Sequence, residues 1–314
     1  MILRGINFGR VWGASGVQGF FGEGYWYHRW LQPFGLDFSG ATFVAKTTTF
    51  SSRQGNMPLR RDYTPWELFP SCIKVWPSNG LALNSVDLSG PGARVLLEQG
   101  GWQEREKPFV LSFMSVADSL SARLDELGRF VELLGRHLPN FKAPVALQMN
   151  FSCPNVAVYN TDTYLVAEIL QALEIASELN IPLVPKLNVL VAPKLVYEVS
   201  KHFTCDAICV SNTLPWDSIS PDLRQRLFGS TESPLQHLGG GGVSGRYLLN
   251  CVIDWIERVR ACGYAKPING GGGILCRADA LKMMRAVGTD GSIFLGSIAF
   301  LRPWRVHGII KMFS

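Results

Sequence analysis

Apolar residues in this chain fall into two kinds of run. The first is short, β-rich and apolar on both faces: 10–15 (RVWGAS), 41–47 (ATFVAKT), 108–114 (PFVLSFM), 144–150 (PVALQMN), 181–186 (IPLVPK), 206–212 (DAICVSN), 266–270 (KPING) and 291–296 (GSIFLG). The second repeats its apolar positions every three or four residues, as in 121–138 (SARLDELGRFVELLGRHL) and 163–180 (TYLVAEILQALEIASELN), the period of an amphipathic helix. Strands buried on both faces and alternating with helices predict a parallel sheet. Eight of them predict a closed (β/α)8 TIM barrel, an α/β fold, with a doubly wound open sheet as the alternative. One domain is expected over 1–314, with long connections across about 48–107 and 213–250.

Composition narrows the classes. A 47% hydrophobic content supplies a large core, and 30 basic against 25 acidic residues leave only +5, with no basic run beyond a pair such as Arg60-Arg61. Nucleic acid is therefore not an expected partner. The seven cysteines (72, 153, 205, 209, 251, 262, 276) form no CxxC pair, which fits reduced thiols and no metal centre. The apolar run IFLGSIAFL is nine residues long, too short to span a bilayer, and the N-terminal MILRGINFGRVWGAS lacks a leader pattern. A soluble, cytoplasmic protein is expected, with no membrane partner.

In a barrel, chemistry gathers where strands end. Ser15, Lys46, Asn150, Lys186, Asn212, Gly272 and Gly296 all fall at or just past such ends. NGGGGI (269–274) followed by FLGS (294–297) suits a phosphate held by backbone N–H groups, because glycine lets the backbone come close; a tight turn is the plainer reading. Two lysines at a barrel mouth suit an anion, since an unpartnered buried ammonium is costly. The stretch NFSCPN (150–155) offers asparagines to read an amide or imide edge and a thiol to act as base or nucleophile. Pro154 restricts the backbone between Cys153 and Asn155. An ordinary turn with an inert cysteine reads equally well from the hexapeptide alone.

NFSCPN resembles the N-x-S-C-P-N signature of the class 1 dihydroorotate dehydrogenases, FMN-containing barrels. The likeness continues in order through GASG (13–16), AKTTTFSSRQGNMPL (45–59), NSVDL (84–88), VPKL (184–187), SNTL (211–214), GGVSG (241–245), GGGI (271–274) and LGS (295–297). The resemblance implies FMN, its phosphate on Gly272, Gly273, Gly296 and Ser297, with Ser15, Lys46, Thr47, Ser112, Asn150 and Gly245 also lining the cofactor. Lys186 would face its pyrimidine end. Lys46, Asn84, Asn150, Asn155, Asn212 and Thr213 would hold dihydroorotate, and Cys153 would remove the C5 proton while hydride leaves C6 for the flavin.

Cysteine at 153, rather than serine, resembles the class 1 enzymes. ASGVQGFFGEGY looks like the heteromeric type with an iron–sulfur flavoprotein subunit, whereas LSFMS looks like the fumarate-reducing homodimer. The chain departs from the family at AVYNTDTY (157–164), which lacks a loop glycine, in KLNVL, which lacks a proline, and at Asp87, where glycine is usual. The first departure and Asp87 keep open a diverged FMN oxidoreductase acting on another cyclic amide or enone. An idle flavin-binding subunit and a flavin-free barrel isomerase are the remaining alternatives.

Overall fold

The computed structural model describes residues 1–151 and 162–314. The first half runs β1 (Ile2–Leu3), β2 (Ile6–Asn7), β3 (Val11–Gly13), α1 (Trp26–Leu31), β4 (Ile73–Trp76), β5 (Leu81–Asn84), α2 (Ala93–Glu98), β6 (Phe109–Phe113), α3 (Leu120–His137), β7 (Val145–Asn150) and α4 (Asp162–Ala176). The second half runs β8 (Leu183–Leu187), α5 (Pro193–Ser200), β9 (Ile208–Val210), β10 (Leu214–Pro215), α6 (Pro221–Phe228), β11 (Gly242–Gly245), α7 (Tyr247–Ala261), β12 (Ile268–Gly271), α8 (Arg277–Val287), β13 (Ser292–Leu295), α9 (Ile298–Leu301) and α10 (Val306–Ile310).

Seven strands form one parallel sheet in the order β3-β13-β12-β9-β8-β7-β6. The stretch 42–48 closes it, through parallel bridges from Thr42 to Trp12 on one side and from Val44 to Val110 on the other. Gly13 N–H donates to Thr42 O and Ala45 N–H to Val110 O, both at 2.9 Å. All eight apolar runs read from the sequence are barrel staves. Their pattern follows from burial on both faces: Trp12, Val44, Val110, Ala146, Val184, Cys209 and Phe294 point inward into one cluster. Alternate neighbours such as Val11, Leu111, Leu147, Leu183 and Ile293 point outward onto the helices, as the period of two requires.

Met1, Leu3 and Phe8 from the β1–β2 segment join the inner cluster, and Met1 Sδ lies 3.6 Å from Ser292 Oγ at the start of β13. This end of the barrel is filled, which leaves the C-terminal ends of the strands for a site. α3 starts where Ser119 accepts a hydrogen bond from Ala122 N–H, and it buries Leu127, Phe130, Val131 and Leu134 against the barrel. Between α3 and α4, Arg123 and Glu168 form a buried ion pair at 2.8 Å.

The two long connections do not stay apart. β4 and β5 from the first join β10 and β11 from the second in an antiparallel sheet ordered β10-β11-β5-β4. Leu83 pairs with Val243 and Asn84 with Gly242. Leu83, Leu214, Trp216, Ile219, Leu235 and Val243 bury a small core of their own.

Candidate active site

A cavity of about 480 Å³ lies between the C-terminal ends of the barrel strands and this antiparallel sheet. It is lined by Ser15, Lys46, Thr47, Asn84, Asn150, Lys186, Asn212, Thr213, Gly272, Gly273, Gly296 and Ser297, residues at or just past the ends of seven barrel staves and of β5. Ser112 and Gly245 stand one layer back. Cys153 and Asn155 lie outside the described residues, and Phe151, just before them, donates its N–H to Lys186 O at 3.1 Å.

Each wall has its own chemistry. A chain of hydroxyls runs into the barrel: Ser15 Oγ donates to Ala45 O at 2.9 Å and lies 2.8 Å from Thr47 Oγ1, which lies 2.8 Å from Ser112 Oγ. Ser112 in turn donates to Gln148 Oε1 at 3.4 Å. Ser112 is thus buried under Thr47 and fixes it. Asn150 and Lys186 are register partners on β7 and β8, and Asn212 Nδ2 donates to Asn150 Oδ1 at 3.4 Å. Asn212 Oδ1 accepts from Thr213 N–H at 3.0 Å, and Asn188 Nδ2 donates to Thr213 O at 2.8 Å. These bonds orient the amides before any ligand arrives, which is the preorganisation a binding site needs.

Both lysines are buried. Burial pushes the Lys46 ammonium down to about 8, against the weaker opposing pull of Glu23 and Cys72. Its Nζ donates to Ser89 O and lies 5.0 Å from the centre of the Phe20 ring. Burial also lowers Lys186, with the Cys209 thiol opposing; its Nζ is 6.0 Å from the Phe294 ring. An anion in the cavity would offset the desolvation of these ammonium groups.

The glycine end is a cradle that side chains would fill. Gly273 has φ +74°, and a Cβ there would sit 2.7 Å from both Gly245 O and Leu249 N. Gly272 has φ +128°, with Leu248 Cβ at 3.2 Å from the same hypothetical atom. Gly296 and Ser297 follow β13, with Ala14 Cβ 3.0 Å from a Cβ built at Gly296. Gly245 accordingly acts through its backbone: it backs Gly273, and its own Cβ would meet Gly80 O at 2.2 Å. This close-packed backbone suits a phosphate, and the buried lysines, hydroxyl chain and amides suit a ring that is polar at one edge, so the donor set fits FMN.

The match to a family rests on more than this geometry. The family model described as dihydroorotate dehydrogenase matches residues 5–312. The chain belongs to the dihydroorotate dehydrogenase family. Within that family it is similar to dihydroorotate dehydrogenase A (fumarate) of Lacticaseibacillus paracasei, 29% identical over 282 residues, which cover 88% of this chain and 84% of the relative. It is also similar to the catalytic subunit of dihydroorotate dehydrogenase B (NAD(+)) of Latilactobacillus sakei, 27% identical over 94% of this chain and 86% of the relative. Among solved structures, the ligand-free dihydroorotate dehydrogenase of Eimeria tenella superposes with a TM-score of 0.66 over 100% of this chain and 85% of its own, at 18% identity, a likeness of fold. Dihydroorotate dehydrogenases of this family are generally flavin-dependent.

Sequence reasoning missed the upper wall of the cavity. Ser85, Trp216, Met57, Tyr25 and Phe300 all line it; Met57, Ser85 and Tyr25 fall within the family-like motifs without being singled out, and no local pattern marks Trp216 or Phe300. Tyr25 packs edge-on against Phe300 at 5.2 Å between ring centres, so this wall is aromatic. Asp87, noted in the sequence as a departure, lines the cavity, but its ion pair with Arg53 was not foreseen. Among the described residues no cluster of His, Cys, Asp and Glu is arranged to hold a metal, and no helix is long and apolar enough to cross a membrane.

Proposed function

We propose that this protein oxidises dihydroorotate to orotate, the redox step of pyrimidine biosynthesis, with FMN as its resident cofactor. The observation that carries this reading is the meeting, in one cavity, of two buried lysines, three asparagines and a glycine cradle. FMN, when bound, supplies the acceptor for the hydride that leaves C6. Gly272, Gly273, Gly296 and Ser297 hold its phosphate through backbone N–H groups, while Ser15, Thr47, Asn150 and Lys186 hold the ring, with Ser112 and Gly245 behind them. Lys186 balances negative charge at the polar edge.

Asn84, Asn150, Asn155, Asn212 and Thr213 read the alternating donors and acceptors of the substrate ring, and Lys46 draws its negative charge. Cys153 takes the proton from C5. The support for Cys153 and Asn155 is the NFSCPN signature, which starts at Asn150 in the cavity wall.

Orotate formation with an artificial electron acceptor tests the reading, using wild type, Cys153→Ala and Cys153→Ser. Wild type turns over. The alanine variant keeps its flavin and loses turnover by orders of magnitude. The serine variant retains some turnover, with its optimum at higher pH because a hydroxyl is the weaker acid. Near-normal turnover by Cys153→Ala removes Cys153 as the base, and no turnover by wild type removes dihydroorotate as the substrate.

A further inference from the structure

Two carboxylates, Asp87 and Asp217, line a cavity that also carries two lysines and three asparagines, and the backbone at Asp87 singles that one out. Asp87 has φ +55° and Leu88 φ +57°, the left-handed region that Asp enters more readily than most residues with a Cβ and Leu only under strain. Strained side chains at a ligand cavity point to function more often than strain elsewhere.

Arg53 supplies the missing partner. Its Nη2 donates to both carboxylate oxygens of Asp87 at 3.0 Å. The two segments are also tied along their backbones: Arg53 and Gly90 exchange two hydrogen bonds at 2.8 Å, and Asn56 N–H donates to Val86 O at 3.0 Å. Asn56 Nδ2 donates to Ser85 O at 2.8 Å. Gly55 fits so closely that a Cβ would lie 2.7 Å from Asp87 O. The guanidinium therefore stays where the carboxylate is. Two residues beyond Asp87, Ser89 O accepts from Lys46, so the same segment joins the pair to a buried lysine of the cavity.

We propose that Arg53 is a specificity-determining residue: by holding and neutralising Asp87 it lets the cavity accept an anionic ring ligand. The proposal rests on the dihydroorotate reading above, since orotate and dihydroorotate each carry a carboxylate. With Arg53 gone, Asp87 becomes a bare anion in the wall of the cavity, its side chain 34% exposed. Two like charges about 10 Å apart, partly screened by water, repel enough to weaken binding roughly tenfold.

The test is the affinity of the flavin-loaded protein for orotate and for its uncharged methyl ester, read from the perturbation of the flavin spectrum. Wild type, Arg53→Gln, Asp87→Asn and the double variant are compared. Arg53→Gln is expected to lose roughly tenfold for orotate and to keep its affinity for the ester, and the double variant to return to within about twofold of wild type. Asp87→Asn alone, which leaves Arg53 unneutralised, is expected to bind orotate more tightly by a few-fold; it decides the matter even where Arg53→Gln does not fold. Unchanged orotate affinity in Arg53→Gln, equal losses for orotate and ester, or unchanged or weaker orotate binding by Asp87→Asn would overturn the proposal and leave the dihydroorotate reading standing. A wild type that binds no orotate overturns both.

Discussion

Replacing Lys46 with methionine should change how the stability of this protein depends on pH. Burial lowers the Lys46 ammonium from its ordinary 10.5 to about 8. At ~1.4 kcal/mol per pH unit, the charged side chain costs the flavin-free fold about 3 kcal/mol. The sign follows from proton counting. Between about pH 8 and 10.5 the unfolded chain still holds this proton and the folded one has released it, so stability rises with pH across that window. Below about pH 8 both states are protonated and the full cost remains; above 10.5 both are neutral and it is gone. Lys46→Met removes the titrating group, together with the hydrogen bond to Ser89 O, a loss that does not vary with pH. Denaturant unfolding of flavin-free wild type and variant, from pH 7 to 10.5 at fixed ionic strength, isolates the contribution, because the other lysines cancel in the difference. The stability advantage of the variant over wild type should shrink by about 3 kcal/mol across that range. A difference constant to within about 1 kcal/mol would refute the claim that Lys46 is held desolvated.

Gly273→Ala places a Cβ 2.7 Å from two backbone atoms at φ +74°. It should cost about 2–4 kcal/mol and loosen FMN, read by thermal melting and flavin retention; unchanged values for both would mean that the backbone there is not closely packed. Glu168→Gln removes a carboxylate that buried Arg123 contacts at 2.8 and 3.1 Å. It should destabilise by about 3–5 kcal/mol in denaturant unfolding, and a loss below about 1 kcal/mol would show that the pair is already solvated.

The barrel was legible because its strands are buried on both faces, so each appears as an apolar run bounded by glycine, proline or polar residues. The eight runs correspond to seven strands and the 42–48 stretch, whose pairing breaks into single bridges as it passes Lys46 and Thr47. The lower half of the cavity was legible for the same reason: the polar residues that interrupt the runs, such as Asn150 and Lys186, stand at the barrel's mouth. The antiparallel sheet above it was not. β4 is short and half exposed, and β5 pairs with β11 some 160 residues away (Leu83 with Val243). Nothing in the local pattern of either segment says that it has such a partner. The Arg53–Asp87 pair was hidden similarly, since it spans 34 residues and depends on a left-handed backbone at Asp87. What could be read there was only that a carboxylate stood at an unusual place. Its meaning changes once the arginine is seen, because a neutralised carboxylate no longer argues against an anionic substrate.

The most direct test of the account is the absorbance spectrum of the purified protein, taken before and after anaerobic addition of dihydroorotate, with the released flavin identified. FMN bands that bleach in stoichiometric proportion to added dihydroorotate are the predicted result. FMN bands that persist would contradict the substrate assignment, and a colourless protein that takes up no added FMN would contradict the reading of the cavity itself.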